Sequence, residues 1–251
     1  MKAFTSSKTA SYCLSVVVIL CLWKVGAHVM SAPLILPPPE DVFHALAAIC
    51  GTAVFWQHVA ATVVRCFFSF LISVLLGTAL GVLCGSSPFF NNLLALPIAI
   101  IRATPVVSFI LVALFWFTSS HVPLFVSVLM TLPIMISSVA GGFLKRDRKL
   151  ADMAQIYQLT KLQKFRWITA PSVVPFFFSG SAAAFGLTWK VVVAGEVLCI
   201  PAFGAGSLLQ KAQVHLNTAE VLAITFVVVM LSFAFEKLFS LVAEKMQKRR
   251  A

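Results

Sequence analysis

A chain of 251 residues that is 60% hydrophobic and only 11% charged falls well short of the about 25% charged residues of ordinary soluble domains, which excludes a water-soluble globular fold. The net charge of +11 would suit a nucleic-acid partner, but its placement excludes one: the basic residues gather at the ends of apolar runs and in one interruption, the distribution of a membrane protein. Six cysteines (Cys13, Cys21, Cys50, Cys66, Cys84, Cys199) lack C-x-x-C or Cys/His ligand spacing, and the five histidines are isolated, so neither a disulfide framework nor a metal site is expected.

Taken in chain order, the apolar runs predict six transmembrane helices at about 9–29, 60–84, 93–117, 122–144, 173–200 and 219–241. Lys2 and Lys8 ahead of Ser11–Trp23 also fit a cleavable signal peptide. Lys24 and the apolar continuation to Met30 favour a retained span, because a lysine near a span end snorkels to the interface. After it, Leu36-Pro37-Pro38-Pro39-Glu40-Asp41-Val42 opens a less apolar segment, and 41–58 reads as a short surface helix with Glu40 and Asp41 at its positive end. The charge-free stretch from Cys66 to Ile101 is too long for one crossing and breaks at Gly85-Ser86-Ser87-Pro88 and Asn91-Asn92. That from Ala103 to Leu144 breaks at Thr118-Ser119-Ser120-His121-Val122-Pro123. Gly77-x-x-x-Gly81 in the second span is a close-packing pattern.

Between the fourth and fifth spans, Lys145 to Pro171 holds seven of the 19 Lys/Arg residues. The loops between spans 1–2, 3–4 and 5–6 carry a single basic residue, Lys211, so both termini and the 145–171 loop are expected in the cytoplasm. Helical spacing puts Leu150, Met153, Ala154 and Tyr157 near one face, with Asp152 in the first turn, where a carboxylate suits the positive helix end. Such a short helix, small and apolar on one side, can fill a groove on a soluble partner.

Asp152-Met153-Ala154, then Gln158, Ile168 and Pro171, resemble the cytoplasmic EAA loop of bacterial ABC-importer permeases. The order of features from Leu36 to about Phe239 resembles the nitrate/sulfonate/taurine importer family, whose permeases share the type I fold of methionine-importer permeases. The matching pieces are Leu36-Pro37-x-Pro39-x-Asp41-Val42, Trp56-Gln57-His58-Val59 leading to Thr62-x-x-Arg65, and Gly77-x-x-x-Gly81. Arg102-Ala103-x-Pro105, the EAA-like loop, Trp189 with Glu196, and Gly204-x-Gly206 complete them. Three positions depart from the pattern: Gln158 replaces the EAA glycine, Met153 the second residue of the triplet, and Ala170 the leucine before Pro171.

The resemblance implies one all-α permease domain over 1–251, working as a permease homodimer with two cytoplasmic ATPase subunits and an extracytoplasmic solute-binding protein. It assigns ATPase coupling to Asp152, Met153, Ala154, Tyr157, Gln158, Ile168 and Pro171. The chain carries no phosphate-binding glycine loop followed by Lys-Ser/Thr, so ATP and Mg belong to the partner ATPase and no bond chemistry is expected here.

Arg102, Lys190 and Glu196, ionisable residues inside predicted spans where each costs at least about 2.5 kcal/mol, are singled out as candidates for the translocation pathway. Lys190 and Glu196 lie about 240° apart around a helix and must answer to different neighbours. Arg102 and Lys190 lean the pathway towards anions such as sulfonates, while Glu196 keeps a cationic thiamine-precursor-like solute open. The alternatives are an ion-gradient-driven carrier using the same charges, or a non-transporting membrane scaffold.

Overall fold

The computed structural model describes residues 2–146 and 148–248, and the described residues contain helices and turns without a strand. The N-terminal helix α1 (Lys2–Met30) is followed by α2 (Pro39–Cys50) and α3 (Ala53–Ser86). Next come α4 (Pro88–Ala103), α5 (Val106–Ala113) and α6 (Val122–Leu144). Two short helices, α7 (Arg148–Ile156) and α8 (Lys161–Lys164), lead through a π-helical turn, Phe165–Thr169, into α9 (Ala170–Cys199). Finally α10 (Ala205–Val214) precedes α11 (Thr218–Lys248).

Four of these runs are long and apolar enough to cross a bilayer: Ala53–Ser86, Val122–Leu144, Leu162–Cys199 and Thr218–Leu241. The α4–α5 pair passes as one broken span, and Leu14–Met30 of α1 is a shorter apolar helix. These helices follow the predicted order, but among the described residues four are long enough to span, or five with the bent pair, and the predicted first span at 9–29 is met only by the shorter apolar run Leu14–Met30.

Two predicted elements need correction. The surface helix expected over 41–58 stops at Cys50, where the Gly51 N–H bonds back to the Ala47 carbonyl. The Thr52 hydroxyl then accepts from the Phe55 N–H at 3.4 Å and starts a new helix at Ala53, so residues 53–58 belong to the second span. The third span, expected as one helix over about 93–117, is bent by 97° between α4 and α5. Pro105 has no N–H to continue the ladder and forces the residue before it out of the helical region; Thr104 sits at ψ 129°. The break at Gly85-Ser86-Ser87-Pro88 is where sequence places it, with Pro88 in the first turn of α4.

The packed centre is a row of three helices, α3 against α6 and α6 against α9. Close approach is possible because α3 presents no side chain where α6 crosses: a Cβ on Gly77 would lie 2.4 Å from Met135 Cβ, and one on Gly81 2.7 Å from Val139 Cβ. Between these helices the Ser73 and Thr131 hydroxyls pair at 2.6 Å, satisfying both inside an otherwise apolar seam. Around the row, α5 packs Ile110 and Ala113 against Val126 of α6 and Val191 of α9. On the other flank Phe235 of α11 stacks on Trp189 of α9, ring centroids 5.7 Å apart. α9 keeps one exposed stripe between these flanks, comprising Pro171, Pro175, Ser179, Ala183, Lys190 and Leu198. Trp23 and Lys24 of α1 bind the Pro37 carbonyl and the Glu40 carboxylate, which ties α1 to the start of α2.

Candidate functional site

The chemistry of this chain sits at the two ends of one helical run, Leu162–Cys199. At the C-terminal end, Glu196 is fully buried (0% exposed) and meets Arg65 of α3, whose side chain is 14% exposed, at 2.6 Å. The Thr62 hydroxyl donates to the same carboxylate at 2.8 Å and accepts the Ala205 N–H at 2.8 Å. Gly206 donates its N–H to Glu196 Oε2 at 3.0 Å, so a carboxylate from α9 caps the positive end of α10. Arg65 also donates to the carbonyls of Phe203 (2.7 Å) and Ser120 (3.2 Å), and His58 Nδ1 accepts the Gly204 N–H at 3.0 Å.

Gly204-x-Gly206 is required by this packing. A Cβ on Gly204 would lie 2.7 Å from Glu196 Cδ, and one on Gly206 2.5 Å from Glu196 Cβ. The helix itself ends at Ile200, held at φ 48°, a strained backbone for a β-branched residue that the surrounding bonds over-determine. One clamp therefore joins α3, α9, α10 and the loop before α6.

At the other end, α7 stops in a left-handed turn at Gln158, φ 50°. The Leu159 N–H reaches the Ala154 carbonyl at 3.0 Å, the six-to-one bond of a Schellman cap. The glycine-type turn is thus kept although glycine is not, at roughly 1–2 kcal/mol. Thr160 and Gln163 then form a reciprocal capping box: the Gln163 side chain accepts the Thr160 N–H at 2.9 Å, and the Thr160 hydroxyl accepts the Gln163 N–H at 3.3 Å. The π-helical turn that follows carries Ile168, buried, just before Pro171. Placing a wider turn ahead of the proline relieves the clash of its ring with the carbonyl four residues back.

The predicted coupling residues separate. Met153 and Tyr157 are 42% and 73% exposed and share a face with Leu150, 41% exposed, whereas Ala154 is turned inward at 2%. Gln158 and Pro171 are exposed and Ile168 is buried. Asp152, expected in the first turn, is exposed in the middle of α7 because the helix starts earlier, at Arg148.

The predicted pathway charges also separate. Arg102 ends α4 and donates to the Pro133 carbonyl (3.0 Å) and Ser137 hydroxyl (2.6 Å) of α6, bracing that helix at its internal proline. Lys190 lies on the exposed stripe of α9, away from Glu196. Arg65 was not singled out among the intramembrane charges, although the predicted span 60–84 contains it; with α3 beginning at Ala53 it lies about three turns inside the helix. The signal was the spacing of His58, Thr62 and Arg65, which places all three on one helical face.

A row of packed apolar helices, several long enough to cross a bilayer, with a charged clamp at one end and an exposed basic segment at the other, is a polytopic membrane protein. Residues 77–250 match the family described as binding-protein-dependent transport system inner membrane component, and the chain belongs to it. It is 27% identical over 223 residues to the taurine transport system permease protein TauC of Escherichia coli K12, covering 85% of this chain and 80% of that one. It is 29% identical over 203 residues to the putative aliphatic sulfonates transport permease protein SsuC of the same organism, covering 80% and 76%. The inward-facing MetNI methionine ABC transporter shares its fold, with a TM-score of 0.57 at 16% identity over 78% of this chain and 94% of that one. The chain is therefore an ABC-importer permease subunit, and the ion-gradient carrier and the scaffold are set aside.

Two measurements check this geometry. Glu196→Gln or Arg65→Met leaves a buried charge without its partner, a loss of about 3–5 kcal/mol, and thermal unfolding in nanodiscs should show Tm falling on the order of 10 °C. The double variant Arg65→Met/Glu196→Gln should lose clearly less than the sum of the two single losses, whereas additive losses would contradict the ion pair. In the same assay Gln158→Gly should raise Tm by a few degrees by releasing about 1 kcal/mol of left-handed strain; an unchanged Tm would show the turn to be unstrained.

Proposed function

We propose that two copies of this chain form the pathway of an ATP-driven importer for a small anion of the sulfonate or oxoanion kind. Two cytoplasmic ATPase subunits, which hold ATP and Mg, drive it, and an extracytoplasmic solute-binding protein supplies it. The taurine and sulfonate permeases that the chain resembles support the substrate class, as do Arg102 and Lys190, both exposed cations within predicted spans. The Lys/Arg distribution supports cytoplasmic termini and a cytoplasmic 145–171 segment in the inner membrane.

The observation that carries the reading is the exposed apolar stripe Leu150, Met153, Tyr157 on a helix joined to a transmembrane helix through two caps. Ordered caps fix the angle between α7 and the Leu162–Cys199 run, so a push on α7 is delivered to that run rather than absorbed by a slack loop. Ala154 positions this stripe from behind by packing inward, and Ile168 anchors the root of the run. ATP-driven closure of the ATPases would then swing the run and switch the pathway between inward and outward openings.

Purification of the detergent-solubilised complex from its native membrane tests this. Wild type should bring down an ATPase subunit, while Met153→Glu and Tyr157→Glu, both on exposed positions, should lose it with Tm unchanged. Retention of the ATPase by both variants would place the coupling surface elsewhere. Ala154→Glu is unsuited to the purpose, since it would force a carboxylate into the interior.

A further inference from the structure

A cleft of about 310 Å³ opens where α3 and α6 end, against the π-helical turn at the root of the α9 run. Gly85 closes its back: a Cβ there would lie 2.6 Å from the Phe143 ring, so the end of α3 sits directly on that ring. Phe143 and Phe165 supply apolar walls, and Arg146, Lys164, Ser86 and Thr169 supply polar ones. Among the described residues the lining therefore holds two cations and two hydroxyls, with no carboxylate.

Neither cation faces a carboxylate among the described residues, whose ion pairs are Lys24–Glu40 and Arg65–Glu196. Arg146 reaches the Thr169 hydroxyl only at 3.5 Å, the limit of a hydrogen bond. The cations beside them are engaged by rings instead: Lys145 lies 5.4 Å from the Phe176 centroid, and Arg166 5.7 Å from that of Trp167. Arg146 and Lys164 are both half-buried on the cleft, where like charges repel and an anion between them removes the repulsion.

The level of the cleft identifies the anion. α6 has 23 residues, a length of about 34 Å that crosses the about 30 Å hydrocarbon layer. Arg146, two residues past its end, falls among the headgroups, and the exposed Trp167 close by is a residue type of that interface. Basic pockets between transmembrane helices on the cytoplasmic side are where anionic headgroups settle.

We infer that this cleft binds the phosphate of an anionic phospholipid, with Arg146 and Lys164 on its oxygens, the Ser86 and Thr169 hydroxyls as further donors, and Phe165 beside its acyl chains. Inorganic phosphate offers the same oxygens, but a cleft at headgroup level favours the lipid. Arg146 precedes α7 and Lys164 follows it, so one phosphate fixes both ends of the segment proposed to meet the ATPase. That consequence rests on the importer reading above; the binding itself does not.

Native mass spectrometry of the full chain in detergent, titrated with phosphatidylglycerol or phosphatidylcholine, tests the assignment. Phosphatidylglycerol should bind about tenfold or more tightly than phosphatidylcholine, the scale expected of two basic residues at one headgroup. Arg146→Gln/Lys164→Gln should remove the preference, while Lys145→Gln/Arg166→Gln, which loses the same charge away from the cleft, should keep it. Ser86→Leu, which fills the mouth without changing charge, should weaken phosphatidylglycerol severalfold and serves where the first pair fails to fold. Equal binding of the two lipids, a preference lost alike in both charge-matched pairs, or indifference to Ser86→Leu would overturn the inference. Displacement of phosphatidylglycerol by inorganic phosphate at millimolar concentration would give the cleft to a soluble anion and overturn the lipid assignment. No ATPase takes part in this measurement, so its failure leaves the importer reading to the purification experiment.

Discussion

The contact between Glu196 and Arg65 is the constraint around which the rest of the molecule is arranged. A carboxylate with 0% exposure would be untenable in an apolar helix bundle without compensation. Here it receives a guanidinium, a threonine hydroxyl and the Gly206 backbone N–H, and that set fixes where α3, α9 and α10 meet. The glycines of the turn before α10, the αL end of α9 at Ile200 and the seating of His58 under Gly204 are consequences of bringing the backbone onto that carboxylate. Because the same arginine also holds the carbonyls of Phe203 and Ser120, the clamp locks two loops on one face of the bundle as well as two helices.

The opposite end of the same helical run is held by ordered caps. Gln158 keeps a left-handed turn that would suit glycine better, and the strain is offset by the Schellman bond behind it and the Thr160–Gln163 capping box ahead. A turn stiffened on both sides resists bending more than one with a free glycine would. The segment proposed to meet the ATPase, the helix that crosses the membrane and the clamp at the far end are thus joined in one continuous run. Arg102 braces α6 beside it at Pro133, which accounts for an intramembrane arginine without giving it a role in that run.

Composition and the placement of turn residues made the membrane class and the helix order readable in the sequence, while the type I fold was implied by the resemblance of its motifs to a known family. Local chemistry that depends on a single atom was not readable. Pro105 breaks the third span because of its missing N–H, yet apolar periodicity runs through it unchanged. Thr52 starts α3 at Ala53, and the ion pair of Arg65 with Glu196 joins residues 131 apart in sequence, which helical spacing along one span does not show. Ala154 and Met153 are adjacent in the motif, but helical geometry turns one inward and the other outward, a difference that only the packed structure reveals.

The central claim, that the run from Leu162 to Cys199 moves as one rod between the coupling segment and the clamp, is open to direct measurement. Spin labels on the exposed positions Leu162 and Leu198 lie about 54 Å apart along a straight helix, within reach of pulsed dipolar spectroscopy. In the reconstituted transporter with and without a trapped ATP analogue, the distance between the two labels of one chain should stay constant. The distances between equivalent labels on the two copies should change at both ends. A within-chain distance that shortens on trapping would mean that the π-helical turn at Phe165–Thr169 bends and absorbs the movement, and the rod account would be wrong.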